Sequence, residues 1–311
     1  MKCSVIIPVY NAEATLARAV DSCLLQGEAV GEILIVDNNS TDGSAVVAAA
    51  YVDRYPEFVW LVPEARQGSS AARNAGLDLA EFEWIQFLDA DDELLAGKIE
   101  RQFGLINDDV DWVIGQWATI ERGRTHPAAP LAADPWKGFV FNGGLGNTNS
   151  NLYRKSALSA VGNFSESLVN GEDMDLYLKL LQAEVGWVHD PIAGSVYHLD
   201  EGDSLSQERP LPLAIEELDR KVNAVDWLAL HRPDYFTANK AFFYSATLRG
   251  VRRVYTFDDL AGRAAFQKYF PNGIDHSLLD PALMPGYFKA YKIMGFDRIE
   301  RLRSFFRNHF R

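Results

Sequence analysis

Short apolar runs alternate with helix-period stretches through residues 4–88, and few folds accept that alternation. Ser4–Tyr10 (SVIIPVY), Glu32–Asp37 (EILIVD), Phe58–Val62 and Trp84–Leu88 each read as a buried strand. Between the first two, Leu16, Val20 and Leu24 recur at fourfold spacing, as on one face of a helix. The polar cluster Asp37–Asn38–Asn39–Ser40–Thr41–Asp42–Gly43 then leads into an alanine-rich helix, Ser44–Arg54. After the third strand, Gly68–Ser69–Ser70 opens a helix that carries Arg73 and Asn74. Strand–helix steps this short imply an α/β fold with a mostly parallel, doubly wound sheet flanked by helices. Such a sheet brings the carboxyl ends of its strands to one edge, where open α/β sheets take ligands.

Beyond Asp92 the pattern loosens. Asp111–Ile120 reads as a strand, and His126 to Asn151, rich in Pro, Gly and Asn, as loop over a site. Ser156–Val161 and Met174–Ala183 read as helices, with Gly186–His189 and Ser195–His198 as two late strands. From about Gln207 helix follows helix: Leu213–Leu230, Asn239–Val254, Leu260–Tyr269 and a single long one, Phe288–Phe310. The expected division is therefore an α/β domain over residues 1–206 and a helical C-terminal region over 207–311.

The formal net charge of −13 argues against a general nucleic-acid binder. Charge is uneven, because Phe288–Arg311 holds seven Lys/Arg against two Asp/Glu. That last helix places Phe288, Tyr291, Ile299, Leu302, Phe306 and Phe310 near one face with basic residues elsewhere. It fits an interfacial segment drawn to anionic lipid, and equally a core-packing or dimer helix. Cys3 and Cys23 lie in apolar runs without metal-like spacing and read as reduced core thiols of a cytoplasmic protein. Neither a signal peptide nor a run of 18 apolar residues is visible, so peripheral contact with the inner face of the plasma membrane is the most that is expected.

The first chemistry-bearing motif is Asp89–Ala90–Asp91–Asp92, three carboxylates directly behind the apolar strand Trp84–Leu88. Acids crowded at a sheet edge repel one another unless a cation joins them, and hard divalent metals take oxygen ligands. A metal-bound diphosphate is the natural guest, although the same triplet also suits a plain acidic turn. The second acidic centre, Glu172–Asp173, opens the helix that follows Gly171.

SVIIPVYN, IVDNNSTD, GSSAARNAG, FLDADD, VGNFSESLVNGEDMDLYLKLL and SLS stand in the order in which family 2 glycosyltransferases carry them. Over residues 3–206 the chain resembles that family, whose fold is GT-A, a Rossmann-like mostly parallel sheet. The resemblance implies an inverting transfer of a sugar from a nucleotide diphosphate donor to a glycan or lipid-linked acceptor, with Mn2+ or Mg2+ (an EC 2.4 hexosyltransferase-type enzyme). It also implies surface polysaccharide biosynthesis as the setting.

Matched residue by residue, the resemblance puts Pro8, Tyr10, Asp37 and Asn38 at the base of the donor nucleotide. Pro8 offers a carbonyl and no N–H, while the Asp37 carboxylate can accept the imide N–H of a uracil, which favours a UDP-sugar. Asn11 fits a ligand contact or a helix N-cap. Gly68 opens a positive helix end, where Arg73 supplies charge to the diphosphate and Asn74 a hydrogen bond. Asp89 and Ala90 face the donor, Asp91 is the direct metal ligand with Asp89 beside it, and Asp92 orients the turn. An inverting transfer needs one carboxylate as base, which the resemblance assigns to Asp173, with Glu172 in support and Asp175 as internal competitor. His198 is the expected third metal ligand, although its spacing to Ser204 is longer than the family's usual form; Ser204 and Ser206 are expected near phosphate. Trp117, Trp136 and Asn149, with Asn147 and Asn151 nearby, are the acceptor candidates, and His189 is expected to be structural.

Three other functions compete. A sugar-nucleotide nucleotidyltransferase shares the architecture, but Asn11–Ala12–Glu13–Ala14 occupies the place of its glycine- and basic-rich loop. A dehydrogenase would need Gly-x-Gly-x-x-Gly after a strand, which residues 1–60 lack. A non-catalytic sugar- or nucleotide-binding module is opposed by the presence of both Asp91 and Asp173. A homo-oligomer is compatible with the helical region.

Overall fold

The strand β1 (Cys3–Val9) is apolar on both faces and nearly all buried, which places it inside a sheet covered on both sides. It pairs in parallel with β2 (Val30–Asp37) on one side and β4 (Trp84–Phe87) on the other, and β2 pairs in parallel with β3 (Val59–Pro63). The crossovers are α1 (Leu16–Leu24), α2 (Ser44–Arg54) and α3 (Ser69–Leu79). In this computed structural model residues 1–141, 144–168, 170–199, 210–283 and 287–309 are described. Ser204, Ser206, the acidic run Asp200–Asp203 and the expected boundary at 206/207 lie outside them.

Past β4 the sheet becomes mixed. The remaining strands are β5 (Glu93–Leu94), β6 (Trp112–Glu121), β7 (Arg124–Pro127), β8 (Leu152–Arg154) and β9 (Trp187–His198). Among the described residues their order completes a nine-stranded sheet, β3-β2-β1-β4-β8-β6-β9-β5, with β7 on β6. β8 is antiparallel to β4 and β6, and β9 is parallel to β6. Helices α4 (Lys98–Phe103), α6 (Lys155–Ala160) and α7 (Glu172–Gln182) go with these strands, and α5 (Pro135–Phe141) follows β7 in the chain. The expected α/β class with a largely parallel sheet is the architecture found.

Several boundaries differ from expectation, each for a physical reason. The two late strands are one, because β9 stays on β6 through register shifts at Gly115–Gln116 and Gln116–Trp117. The stretch expected as loop contains α5, which starts at Pro135, where a missing N–H costs nothing. Asn11 does not cap α1; Thr15 holds that position, and Asn11 sits at φ +51° with Oδ1 accepting the Thr41 N–H at 2.8 Å.

By contacts the chain forms two units: Met1–Pro135 with Gly144–Gly202, and Trp136–Gly143 with Asp203–Arg311. Trp136 is thus part of the helical unit, buried and stacked on Trp227 at 5.2 Å. That unit contains α8 (Pro210–His231), α9 (Pro233–Ala238), α10 (Lys240–Phe257), α11 (Asp259–Tyr269), α12 (Tyr287–Met294) and α13 (Phe296–His309). The single long terminal helix is two helices, broken at Gly295 with φ +77°, a conformation that favours glycine. Tyr291 and Ile299 of the expected aromatic face pack into the core of this unit with Leu218, Val251 and Phe296. Leu302 and Phe306 are exposed, while Phe310 and the side chain of Phe288 lie outside the described structure. Part of the basic charge is spent internally: buried Glu300 accepts from Arg252 at 3.0 Å, Arg303 at 2.8 Å and Tyr291 Oη at 2.5 Å. Core packing therefore accounts for Tyr291 and Ile299.

Beneath the sheet of the first unit lies Lys98, fully buried at the start of α4. Its Nζ donates to Gln86 Oε1 and, at 3.3 Å, to the Asn151 carbonyl. Burial pulls its pKa down from 10.5 to about 7, and pushes the Cys3 thiol nearby up to about 12. Between about 7 and 10.5 the unfolded chain holds a proton on this group that the folded chain does not, so folding gains stability as pH rises. Urea denaturation of wild type and Lys98→Met at intervals from pH 7 to 10 checks this. The stability of wild type relative to the variant is expected to climb across that window, and a flat difference contradicts a depressed lysine.

Candidate active site

The carboxyl ends of β1, β2 and β3 are stitched together by main-chain bonds. Asn38 N–H donates to the Val9 carbonyl at 2.8 Å, and Glu64 N–H to the Asp37 carbonyl at 2.9 Å. Pro8 sits inside β1 opposite Val36, Tyr10 just beyond it is exposed, and Asp37 is half-buried at the end of β2. Asp37 Oδ1 accepts the Ser40 N–H at 3.3 Å, a local turn contact. Asn38, expected at the base, is buried and turned inward. Its Nδ2 donates to the carbonyls of Glu64 and Arg66 at 2.9 and 2.7 Å, and its Oδ1 accepts the Gly68 N–H at 2.7 Å. Asn38 therefore shapes the loop before α3, and the Gly68 N–H is already used.

Arg73, on α3, is 5% exposed and holds two acids at once. Its Nη2 donates to Asp89 Oδ1 at 2.7 Å and its Nη1 to Glu172 Oε1 at 2.9 Å. Phe164 lies 5.2 Å from the guanidinium, as a cation–π neighbour. Burial works against the charge on Arg73, but Asp89 and then Glu172 outweigh it and hold the group above its ordinary value. Glu172 is likewise pushed up by burial, and Arg73 with the Ser69 hydroxyl holds it below the ordinary carboxylate value. Asn74, expected at the donor, is bound into the fold: its side chain exchanges hydrogen bonds with the Phe164 backbone and reaches Glu166 at 3.0 Å.

The acidic turn follows β4 directly. The Asp92 N–H closes it on the Asp89 carbonyl at 3.1 Å, Ala90 is buried, Asp91 is half-buried, and the Asp91 carbonyl accepts from Arg18. Asp92 is fully buried, and both its oxygens accept: Oδ1 from the His198 N–H at 2.9 Å, Oδ2 from Asn149 Nδ2. Burial and then the charges on Asp89 and Asp91 push the group up, and the two donors, one on each oxygen, oppose that shift by holding the carboxylate form. Asn149, expected at an acceptor sugar, is instead 2% exposed and bonded to this turn. Asn151 is equally internal, its Oδ1 accepting the Gly115 N–H at 2.9 Å, and half-buried Asn147 accepts the Ser150 N–H at 2.8 Å. Trp117 remains half-buried on β6 opposite Ser195.

Helix α7 is preceded by Gly171, whose φ of +69° is left-handed and turns the chain sharply into Glu172–Asp173. One turn further, Tyr177 is buried and stacked on Trp112 at 5.5 Å, which in turn stacks on Tyr153 at 6.2 Å. This anchor fixes the helix start. Of the three acids in its first turn, Glu172 is held by Arg73, and Asp175 by Lys179 at 2.8 Å and the Ser165 hydroxyl at 2.5 Å. Asp173 is partly buried and its Oδ1 accepts the Met174 N–H at 2.7 Å.

The expected metal set is only partly assembled. Asp89 and Asp91 share one turn, but His198 Nε2 lies 3.2 Å from Glu93 Oε1. Among the described residues no group of three or more His, Cys, Asp and Glu is gathered to hold a metal ion. Two carboxylates are hard oxygen donors that fit Mn2+ or Mg2+ only with other oxygens completing the sphere, as a diphosphate does. Glu93, Arg18, Gln86 and Lys98 carry no motif that marks them as neighbours of the site.

The sequence model for glycosyl transferase family 2 matches residues 4–159. An uncharacterized glycosyltransferase, YibD of Escherichia coli, is 36% identical over 43% of this chain and 42% of its own length. The match therefore spans less than half of that relative. The succinoglycan biosynthesis protein ExoU of Rhizobium meliloti is 28% identical over 96% of this chain and 88% of its own. Among solved structures, residues 1–349 of S. aureus TarS in complex with UDP-GlcNAc align with a TM-score of 0.61 and 18% identity, covering 100% of this chain and 93% of that one. The mannosyltransferase PcManGT of Pyrobaculum calidifontis, in complex with GDP-Man and Mn2+, aligns at 0.56 and 16% over 99% and 89%. At these identities the two structures show a shared fold.

Removing the buried cation tests its hold on both acids. Arg73→Met is expected to destabilise the fold by about 3 kcal/mol, because two carboxylates lose their partner. Arg73→Met/Glu172→Gln should recover part of that loss. Urea denaturation of both variants supplies the comparison.

Proposed function

The chain belongs to glycosyl transferase family 2, and from that premise we propose an inverting, metal-dependent transfer of a sugar from a nucleotide diphosphate donor to a hydroxyl of a glycan or lipid-linked acceptor. The observation that carries this reading is Arg73, whose single guanidinium holds Asp89 of the acidic turn and Glu172 of the α7 start. A donor-side acid and a base-side acid are thereby kept within the width of one side chain. The carboxylate of Asp37 at the end of β2 suits the imide N–H of uracil, so the donor class we favour is a UDP-sugar. The likeness to ExoU, a succinoglycan biosynthesis protein, over most of both chains supports surface polysaccharide biosynthesis as the setting.

In the transfer, the Asp173 carboxylate takes the proton of the acceptor hydroxyl as its oxygen bonds to the anomeric carbon. The bond from that carbon to the diphosphate oxygen breaks, and the nucleoside diphosphate leaves with the electron pair. Engagement of Asp175 by Lys179 and Ser165 supports Asp173 over its neighbour as the base. Asp91, with Asp89, would hold the divalent cation, whose charge stabilises the departing diphosphate. Trp117 is retained as an acceptor contact, whereas Trp136 and Asn149 serve elsewhere. Among the described residues no helix is long and apolar enough to cross a membrane.

Two measurements test this. In a thermal-shift screen of UDP-, dTDP- and GDP-sugars, a UDP-sugar is expected to raise the melting temperature, and to do so with Mn2+ and not without it. With that donor and an acceptor panel, Asp173→Asn and Asp91→Ala are expected to retain the wild-type fold by circular dichroism and lose about 10^3-fold or more in turnover. Full turnover by both variants rejects the assignment.

A further inference from the structure

The acidic turn ends in a hydrogen-bond chain whose chemistry is fixed by its two ends. At one end the Asp89 N–H donates to Asn149 Oδ1 at 2.9 Å. At the other the His198 N–H donates to Asp92 Oδ1 at 2.9 Å. In the middle Asn149 Nδ2 donates to Asp92 Oδ2. Asn149, Asp92 and the Gln86 beneath them are 2%, 0% and 0% exposed, so water cannot repair a mismatch in the chain.

Both terminal partners are backbone N–H groups, and neither can become an acceptor. Each of the two side chains must therefore accept at its outer end. The contact between them then needs one donor and one acceptor. An amide has one atom of each kind and a carboxylate has two acceptors, so the chain closes only with one amide and one carboxylate. Two amides meet donor to donor, and rotating either one merely moves the clash to an outer end. Asp92 is thus an acid because it lies between two donors.

We propose that Asn149 and Asp92 are a complementary positioning pair that locks the Asp89–Asp92 turn between β4 and β9 and so aims Asp91. The pair rests on the functional reading given above, in that the turn is the donor end of the site. Its backbone is held from below as well: Gln86 Nε2 donates to the Asn149 carbonyl at 2.8 Å, and Gln86 Oε1 accepts from buried Lys98. A continuous buried line thus runs from Lys98 through Gln86 and Asn149 to the acidic turn. Neither residue of the pair transfers a proton or touches the reacting carbon; they act through Asp91 and Asp89.

The parity of the chain supplies the test. Asp92→Asn creates two facing amides and breaks it, while Asp92→Asn with Asn149→Asp moves the carboxylate across the contact and closes it again at nearly the same volume. Hydrogen exchange of the Asp89 and His198 amides reads the lock without any reaction. Asp92→Asn is expected to lose about 10- to 100-fold of protection at one or both amides, and the double variant to regain it to within about threefold. In transfer assays with Mn2+, the single variant is expected to raise the donor KM with the acceptor KM unchanged, and the double variant to restore it. Asn149→Ala, which leaves the His198–Asp92 bond in place, should lose protection at Asp89 and retain it at His198. That variant decides the matter if Asp92→Asn fails to fold. A single Asp92→Asn as protected as wild type, or a double variant no better than the single, overturns the pair. Should wild type transfer no sugar from any donor, the functional reading fails while the exchange arm still decides this one.

Discussion

Two carboxylates from separate elements, Asp89 behind β4 and Glu172 at the head of α7, lie against one buried guanidinium. Without that cation, Glu172 would lie largely out of water without its charge partner and would repel Asp89 nearby. Arg73 is positioned for this by α3, whose entry loop is shaped in turn by Asn38. Glu166 then closes the rim, bonded to Arg66 from that loop and to Asn74 from the helix. The acidic turn, the loop before α3 and the α7 start are thereby one electrostatic unit, with Arg73 at its centre.

Each acidic triplet divides in the same way around that centre. In the turn, Asp89 faces Arg73 and Asp92 is bound between Asn149 and His198. At the head of α7, Glu172 faces Arg73 and Asp175 is bound by Lys179 and Ser165. In each case the acid between them in sequence, Asp91 or Asp173, is the one to which the proposed transfer gives a chemical role.

How much of this was legible in the sequence depended on the range of the signal. The first four strands and their helices were readable because their apolar runs and fourfold spacing are local, and Ser44–Arg54 agrees residue for residue. The α7 start and the acidic turn were readable for the same reason. What was not readable is what a side chain meets across the fold. Asn149 looked like an acceptor amide and Trp136 like a sugar platform, yet one is turned into the acidic turn and the other is stacked on Trp227. Pattern cannot decide such cases, because amides and aromatics are equally at home in a core and at a carbohydrate surface. The break at Gly295 was hidden by an amphipathic period that continues through it.

Lys98 shows why a buried polar residue can be more informative than a conspicuous motif. A lysine in the middle of a core is costly, and Met or Leu would fill the space more cheaply. It is kept here where its Nζ donates to Gln86 Oε1, on β4, and to the Asn151 carbonyl, at the end of the Asn147–Asn151 loop. That loop carries Asn149, and a loop with no anchor would let Asn149 drift from the turn it closes. The stability forgone in the core is thus recovered as geometry at the sheet edge. It follows that the acidic turn is aimed from behind, by the core, as much as from the front by Arg73.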